Sequence, residues 1–108
     1  MLTVKRIDKA DAIIFKLSGH AGSTADGVSV CNMASTIYYM GYNVIKSIPE
    51  LGTASIAVQG ADWLDLKRSG EAEACAYCFE IGFRMLSDRF PENIEVITQD
   101  LREETKHE

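Results

Sequence analysis

The sequence predicts an α/β domain of the α+β kind: two layers, a small mixed sheet carrying two helices, with elements in the order β-β-α-β(β)-α-β. Three observations predict it. Near the amino terminus apolar and polar residues alternate over two short stretches, the period of half-buried strands. Over two later and longer stretches apolar residues recur every three or four positions, the period of amphipathic helices. Two helices with one apolar face each can both pack on one side of a single sheet, which gives two layers.

In chain order, residues 1–8 set Leu2, Val4 and Arg6 against Thr3, Lys5 and Ile7, and Ile13, Phe15, Leu17 and Gly19 repeat at period two after the Lys9-Ala10-Asp11 break. The pair reads as a hairpin. Gly19 to Val30 holds Gly22-Ser23-Thr24 and Asp26-Gly27, with few groups to anchor it in a core, and is expected to be a mobile surface loop. From Cys31 the apolar positions Ala34, Ile37, Tyr38, Gly41, Ile45 and Ile48 share one helix face, and the helix should stop near Pro49. Ser29 is its expected N-cap, in competition with Asp26. Ser55-Ile56-Ala57-Val58 and Trp63-Leu64-Asp65-Leu66, around a turn near Gln59-Gly60, supply one or two further strands. A second helix over 71–89 should turn Ala74, Cys75, Cys78, Ile81, Met85 and Leu86 inward and end at Phe90-Pro91-Glu92-Asn93, before a last strand from Ile94 to Thr98. Residues 1–99 then form one domain, and 100–108 a charged tail that is solvated or frayed.

A chain of 108 residues fits one domain with one core. It has no apolar run long enough to span a membrane and no secretory pattern at its amino terminus, so a cytoplasmic protein is expected. Three cysteines, an odd number, suit reduced thiols better than a disulfide framework. The acidic balance, 11 basic against 16 acidic side chains, argues against direct nucleic-acid binding, which needs clustered Lys and Arg. The charge is uneven: residues 1–54 hold five basic and four acidic groups, residues 55–108 six and twelve. Attraction from the second half would favour a basic partner.

Cys75 and Cys78 form a C-x-x-C pair, but inside a helix rather than opening one, and with no second pair or nearby His to complete a zinc site. They read as core thiols; no metal or cofactor is expected. His107 lies in the charged tail. His20 and Cys31 are different, because they flank the loop, one at a strand end and the other in the first turn of a helix. A first-turn cysteine faces unpaired amides and the positive end of the helix dipole, which favour its thiolate. A histidine in reach can support that thiolate and then protonate a leaving amine. First-turn amides can donate to an oxyanion. Ser35, one turn after Cys31, can hydrogen-bond the sulfur or orient a substrate, or simply bond its own helix backbone.

Gly19-His20-Ala21, a glycine-containing loop, then Val30-Cys31 with Ala34-Ser35 behind it, resembles the G-H-A … V-C-A-A-V-S signature of the bacterial ribosomal-processing cysteine proteases (Prp). A hairpin before the His, a long helix after the Cys, and a second helix closed by Phe90-Pro91 before a final strand extend the likeness over most of the chain. The resemblance implies a thiol protease, typically a homodimer, that removes a short N-terminal extension from a large-subunit ribosomal protein by cutting after an aromatic residue. It implies His20 as general base and acid, Cys31 as nucleophile, Ser35 as support for the thiolate, and Gly19, Ala21, Gly22 and Gly27 as the substrate loop. Where the family often has an Asp three residues before its Cys, this chain has Val28; the loop's acid is Asp26, which would have to act by another path. Asn32 and Met33 replace small residues after the nucleophile. These departures suit a divergent or phage-borne relative trimming a capsid or scaffold precursor. The reading of a different class is a non-catalytic dimeric binding module.

Overall fold

A computed structural model describes residues 1–55 and 61–102. Strands β1 (Leu2–Asp8) and β2 (Ala12–Gly19) form the expected antiparallel hairpin, with Leu2 opposite Gly19 and Asp8 opposite Ile13. Helix α1 (Val30–Ser47) follows, then a single 3-10 turn at Pro49–Leu51 and strand β3 (Gly52–Ser55). β4 (Ala61–Lys67), α2 (Gly70–Arg89) and β5 (Ile94–Asp100) complete the chain. The sheet order is β3-β4-β2-β1-β5, antiparallel except where β1 meets β5. Both helices cover one face, so the domain is a two-layer α+β structure around a mixed sheet.

The alternation read from the sequence decides which side chains face the helices. Val4, Ile13, Phe15, Leu64, Leu66 and Ile94 are fully buried on that side. Phe15 sits at the centre, edge-on to Phe79 at 6.1 Å and tilted against Phe83 at 6.5 Å, both from α2. Gly41 lets α1 approach this cluster: a Cβ there would come within 2.8 Å of Leu64 Cδ1 and 3.2 Å of Phe79 Cζ. The expected inner face of α1 holds at Ala34, Tyr38, Gly41 and Ile45, whereas Ile37 is half-buried and Ile48, past the last turn, is exposed.

The face of α2 is not the expected one. Its buried residues are Ala72, Ala76, Phe79 and Phe83. Ala74, Cys78, Ile81 and Met85 point outward, and Cys75 and Leu86 lie at the margin, half-buried. Two stripes of this helix are apolar, and the phenylalanines decide between them, because only their stripe can stack on Phe15. Cys78 is therefore an exposed thiol, not a core one.

β3 begins at Gly52, earlier than expected, and pairs with β4, so there are two strands here; 56–58 and the turn near Gln59-Gly60 lie outside the described residues. β5 runs to Asp100, two residues beyond the expected end, where Asp100 meets the Arg102 guanidinium at 2.7 Å. His107 and the rest of the tail from 103 lie outside the described residues.

At the end of the sheet away from the loop, Asp8 is buried beneath two guanidinium groups. Arg6 grips it with Nε and Nη2, each at 3.1 Å, and Arg68 donates from 2.9 Å. Arg6 also reaches Glu80 of α2, and Arg68 reaches Glu73 and the carbonyls of Lys9 and Ala12. The network ties the hairpin turn and the start of α2 to one carboxylate. Burial alone would raise the Asp8 pKa, but its hydrogen bonds and charge pairs with Arg6 and Arg68 outweigh it and hold the carboxyl below its ordinary value.

Candidate active site

β2 ends at Gly19, whose φ of +86° turns the chain out of the sheet. A Cβ at this position would lie 2.3 Å from the Met1 carbonyl oxygen, so β1 and the turn together demand glycine. His20 is the next residue and is exposed. The loop then returns to α1, and it is better anchored than its composition suggests. Ala21 is buried, and its carbonyl accepts from Asn93 Nδ2 at 2.9 Å. The Gly22 carbonyl accepts from the amides of both Val30 and Cys31, at 3.0 and 3.1 Å. At the loop tip Gly27, at φ +89°, closes a turn onto the Thr24 carbonyl, and Thr24 Oγ1 takes the Val28 amide at 3.0 Å.

Ser29 wins the competition for the N-cap: its Oγ accepts from Asn32 N at 3.2 Å, and its carbonyl accepts from Met33 N at 3.4 Å. With Val30 and Cys31 bound to Gly22, the first four amides of α1 are all committed. The expectation that they serve as oxyanion donors is therefore corrected. A different amide meets the sulfur: Gly22 N–H donates to Cys31 Sγ at 3.4 Å. The loop and the first turn thus clasp each other at Gly22, one amide spent on the thiol and one carbonyl on the helix.

Cys31 is half-buried and lines a cleft of about 160 Å³ together with His20, Gly19 and Ser35. Leu2, Leu17 and Ala34 add apolar surface to its lining, which Tyr38, Tyr39 and Asp62 complete. Four of the sequence-derived candidates therefore meet in one place. Asp26 does not: it is exposed in the loop tip, where Thr24 Oγ1 donates to its Oδ1 and holds the carboxyl below its ordinary pKa. Ala21, Gly22 and Gly27 belong to the loop frame and not to the lining.

The part that Tyr38, Tyr39 and Asp62 take in this lining escaped the sequence reading. Tyr38 is a core residue, as expected, yet its hydroxyl donates to the backbone carbonyls of Ser55 and, at 2.9 Å, Trp63, which fixes α1 over β3 and β4. Burial, reinforced by the Asp62 charge, raises the Tyr38 pKa, so the phenol stays protonated. Asp62 stands opposite Leu17 in the β2–β4 ladder, on the same sheet face as Leu64 and Leu66. A carboxylate in that inward series was the available signal. Among the described residues no three His, Cys, Asp or Glu side chains gather as a metal-binding group, and no helix is long and apolar enough to cross a membrane.

Comparison with solved structures matches this architecture over nearly its whole length. The ribosomal-processing protease Prp from S. aureus, crystallised with a covalently linked product peptide, superposes with a TM-score of 0.72 at 20% identity, covering 92% of this chain and 100% of that one. The fold is that of Prp. The same protease with a substrate peptide gives a TM-score of 0.70 at 19% identity, over 92% of this chain and 100% of that one. SMU.848 from Streptococcus mutans gives 0.72 at 21%, covering 93% and 95%. No protein-family model matches the sequence, and no curated protein matches it significantly. At these identities the shared property is the Prp fold, and the chemistry has to be argued from this chain's own cleft.

Proposed function

We propose that this chain is a cytoplasmic cysteine endopeptidase that removes the N-terminal extension of a large-subunit ribosomal protein, with Cys31 as nucleophile and His20 as general base and acid. The carrying observation is the clasp at Gly22: a thiol in the first turn of a helix, receiving a backbone N–H at 3.4 Å, in one cleft with an exposed histidine. Its support in kind is that Prp of the same fold has been crystallised with substrate and product peptides.

In this reading His20 takes the Cys31 proton, and the thiolate attacks the peptide carbonyl, forming a C–S bond while the carbonyl electrons move to oxygen. The Gly22 amide, which donates to the sulfur at 3.4 Å, is the donor assigned to that oxyanion in this reading. Collapse expels the amine, protonated by His20, and leaves a thioester. Water, deprotonated by His20, hydrolyses the thioester and restores the thiol. Ser35, one turn along the same face, holds the substrate or the sulfur in place. The loop carrying Ala21, Gly22 and Gly27 covers the peptide and excludes water. Asp26 contributes to the loop turn rather than to the dyad.

The test is to mix the purified protein with the ribosomal precursor from its own host and read the product by mass spectrometry. Cleavage at one site near the amino terminus is the expected result. Binding without cleavage would instead favour the non-catalytic module, and cleavage of a phage capsid or scaffold precursor alone would move the substrate.

A homodimer is part of the same proposal, and the outward stripe of α2 supports it. Tyr77, Ile81 and Met85 stand one turn apart with 64%, 41% and 66% of their surfaces exposed, flanked by Ala74 and Cys78. A continuous apolar ridge of this kind is a usual mark of an interface. By light scattering the wild type should run at twice the chain mass and Ile81→Asp/Met85→Asp at the chain mass, with unchanged helix content. A monomeric wild type would remove the dimer.

A further inference from the structure

Two peptide units meet at Gly22, and each is held by a different partner. The Gly22 carbonyl accepts from the Val30 and Cys31 amides, which ties the unit that follows to the first turn of α1. The unit before it, joining Ala21 to Gly22, carries both the carbonyl that accepts from Asn93 Nδ2 at 2.9 Å and the N–H that donates to Cys31 Sγ at 3.4 Å. In a trans unit such as this one the C=O and N–H point in opposite directions, so a group that fixes the one aims the other. Asn93 reaches the carbonyl from outside the cleft. It lies between α2 and β5, half-buried, and does not belong to the cleft lining. Its own backbone is fixed on both sides, its amide donating to the Phe90 carbonyl at 3.0 Å and its carbonyl accepting from Leu2 N at 2.9 Å.

We propose that Asn93 is a positioning residue for Cys31: by holding the Ala21 carbonyl it keeps the Gly22 N–H aimed at the sulfur and at the oxyanion that forms beside it. The inference rests on the peptidase reading above and adds a residue to its machinery. Gly22 makes such a latch necessary. Its φ is +68°, and a Cβ there would meet nothing within 4 Å, so glycine serves the backbone conformation rather than a close approach. Glycine is equally at ease at negative φ, where a rotation of the Ala21-Gly22 unit would take it, turning the carbonyl toward the sulfur and the N–H away. The hydrogen bond from Asn93 opposes that rotation. Because a carbonyl only accepts, Asn93 must present its NH2 group there, which sets the orientation of its side chain. A carbonyl engaged in this way also polarises the N–H of the same unit and strengthens it as a donor.

Asn93→Leu keeps the approximate size of the side chain, removes the donor and adds no charge. In a Cys75→Ser/Cys78→Ser background it should speed hydrogen exchange of the Gly22 amide about threefold and slow iodoacetamide alkylation of Cys31 at neutral pH about threefold, the size of one net hydrogen bond. The amides of Val30 and Cys31, bonded to the other side of Gly22, should exchange as before. For a cleaved peptide kcat should fall about tenfold and KM should stay, because the oxyanion exists only once the carbonyl is attacked. Asn93→Ser, whose hydroxyl stops short of Ala21, should give the same pattern and serves as the test if Asn93→Leu does not fold. Glu92→Gln, at an exposed neighbour, should change none of these readings. An unmoved Gly22 amide overturns the proposal, and so do equal rises at Gly22, Val30 and Cys31, which would mean that the whole loop had come loose. The two readings fail separately. A protein that cleaves no peptide but shows the selective change at Gly22 and the slower alkylation keeps the latch and loses the peptidase. One that cleaves peptide at an unchanged rate in Asn93→Leu, with Gly22 unmoved, does the reverse.

Discussion

Cys31→Ala is expected to lower peptide cleavage by more than about 10³-fold, because Cys31 is the one thiol lining the cleft among the described residues. His20→Ala should cost about 10²- to 10⁴-fold, the usual range for a positioned acid–base residue. Ser35→Ala should cost less than about tenfold, since the Gly22 amide and not the Ser35 hydroxyl is the observed partner of the sulfur. Cys75→Ser and Cys78→Ser should leave the rate unchanged, as both lie on α2, outside the cleft. Cleavage that survives in Cys31→Ala would remove the nucleophile, and equal losses in Cys31→Ala and Cys78→Ser would point to a general loss of structure.

Asp8→Asn is expected to be the most damaging change away from the cleft. It leaves Arg6 and Arg68, each with only 16% of its side chain exposed, facing one another without the carboxylate between them. Breaking a buried pair from one side costs about 3–5 kcal/mol. The lower end applies here, about 3 kcal/mol, because Arg6 keeps Glu80 and Arg68 keeps Glu73 and two carbonyls. In a domain of this size that is a fall in Tm on the order of 15 °C. The loss should depend on pH in a stated direction. The folded-state carboxyl is held below its unfolded value of about 3.9, so its stabilisation is complete above that value and disappears as pH falls through the folded one. Wild type and Asp8→Asn should therefore differ most above about pH 5 and converge in strong acid. A constant difference across that range, measured by denaturant melts, would show that the Asp8 charge is not what stabilises the corner.

The hairpin, α1 and the placing of His20 and Cys31 on either side of one loop were legible in the sequence because each rests on local rules. Alternation sets the strand faces, a serine caps the helix, and a glycine at positive φ releases the chain at the end of β2. What was not legible depends on partners distant in sequence. α2 carries two apolar stripes, and nothing within 71–89 says that Phe79 and Phe83 will choose Phe15 while Ile81 and Met85 stay outside. The loop reads as loose because Gly, Ser and Thr have little to bury. It is held instead by main-chain groups, the Gly22 carbonyl and the Ala21 carbonyl, which composition does not reveal. For the same reason the first-turn amides looked available when Gly22 and Ser29 occupy them. Asp62 enters the cleft only through the β2–β4 register, which pairs it with Leu17.

The account stands on the claim that its surroundings make Cys31 a nucleophile, and the rate of its alkylation tests this most directly. With Cys75 and Cys78 replaced by serine, Cys31 should react with iodoacetamide at neutral pH about tenfold faster than the thiol of a short unstructured peptide, and His20→Ala should remove most of that advantage. A wild-type rate equal to that of the peptide thiol, unmoved by His20→Ala, would contradict the claim.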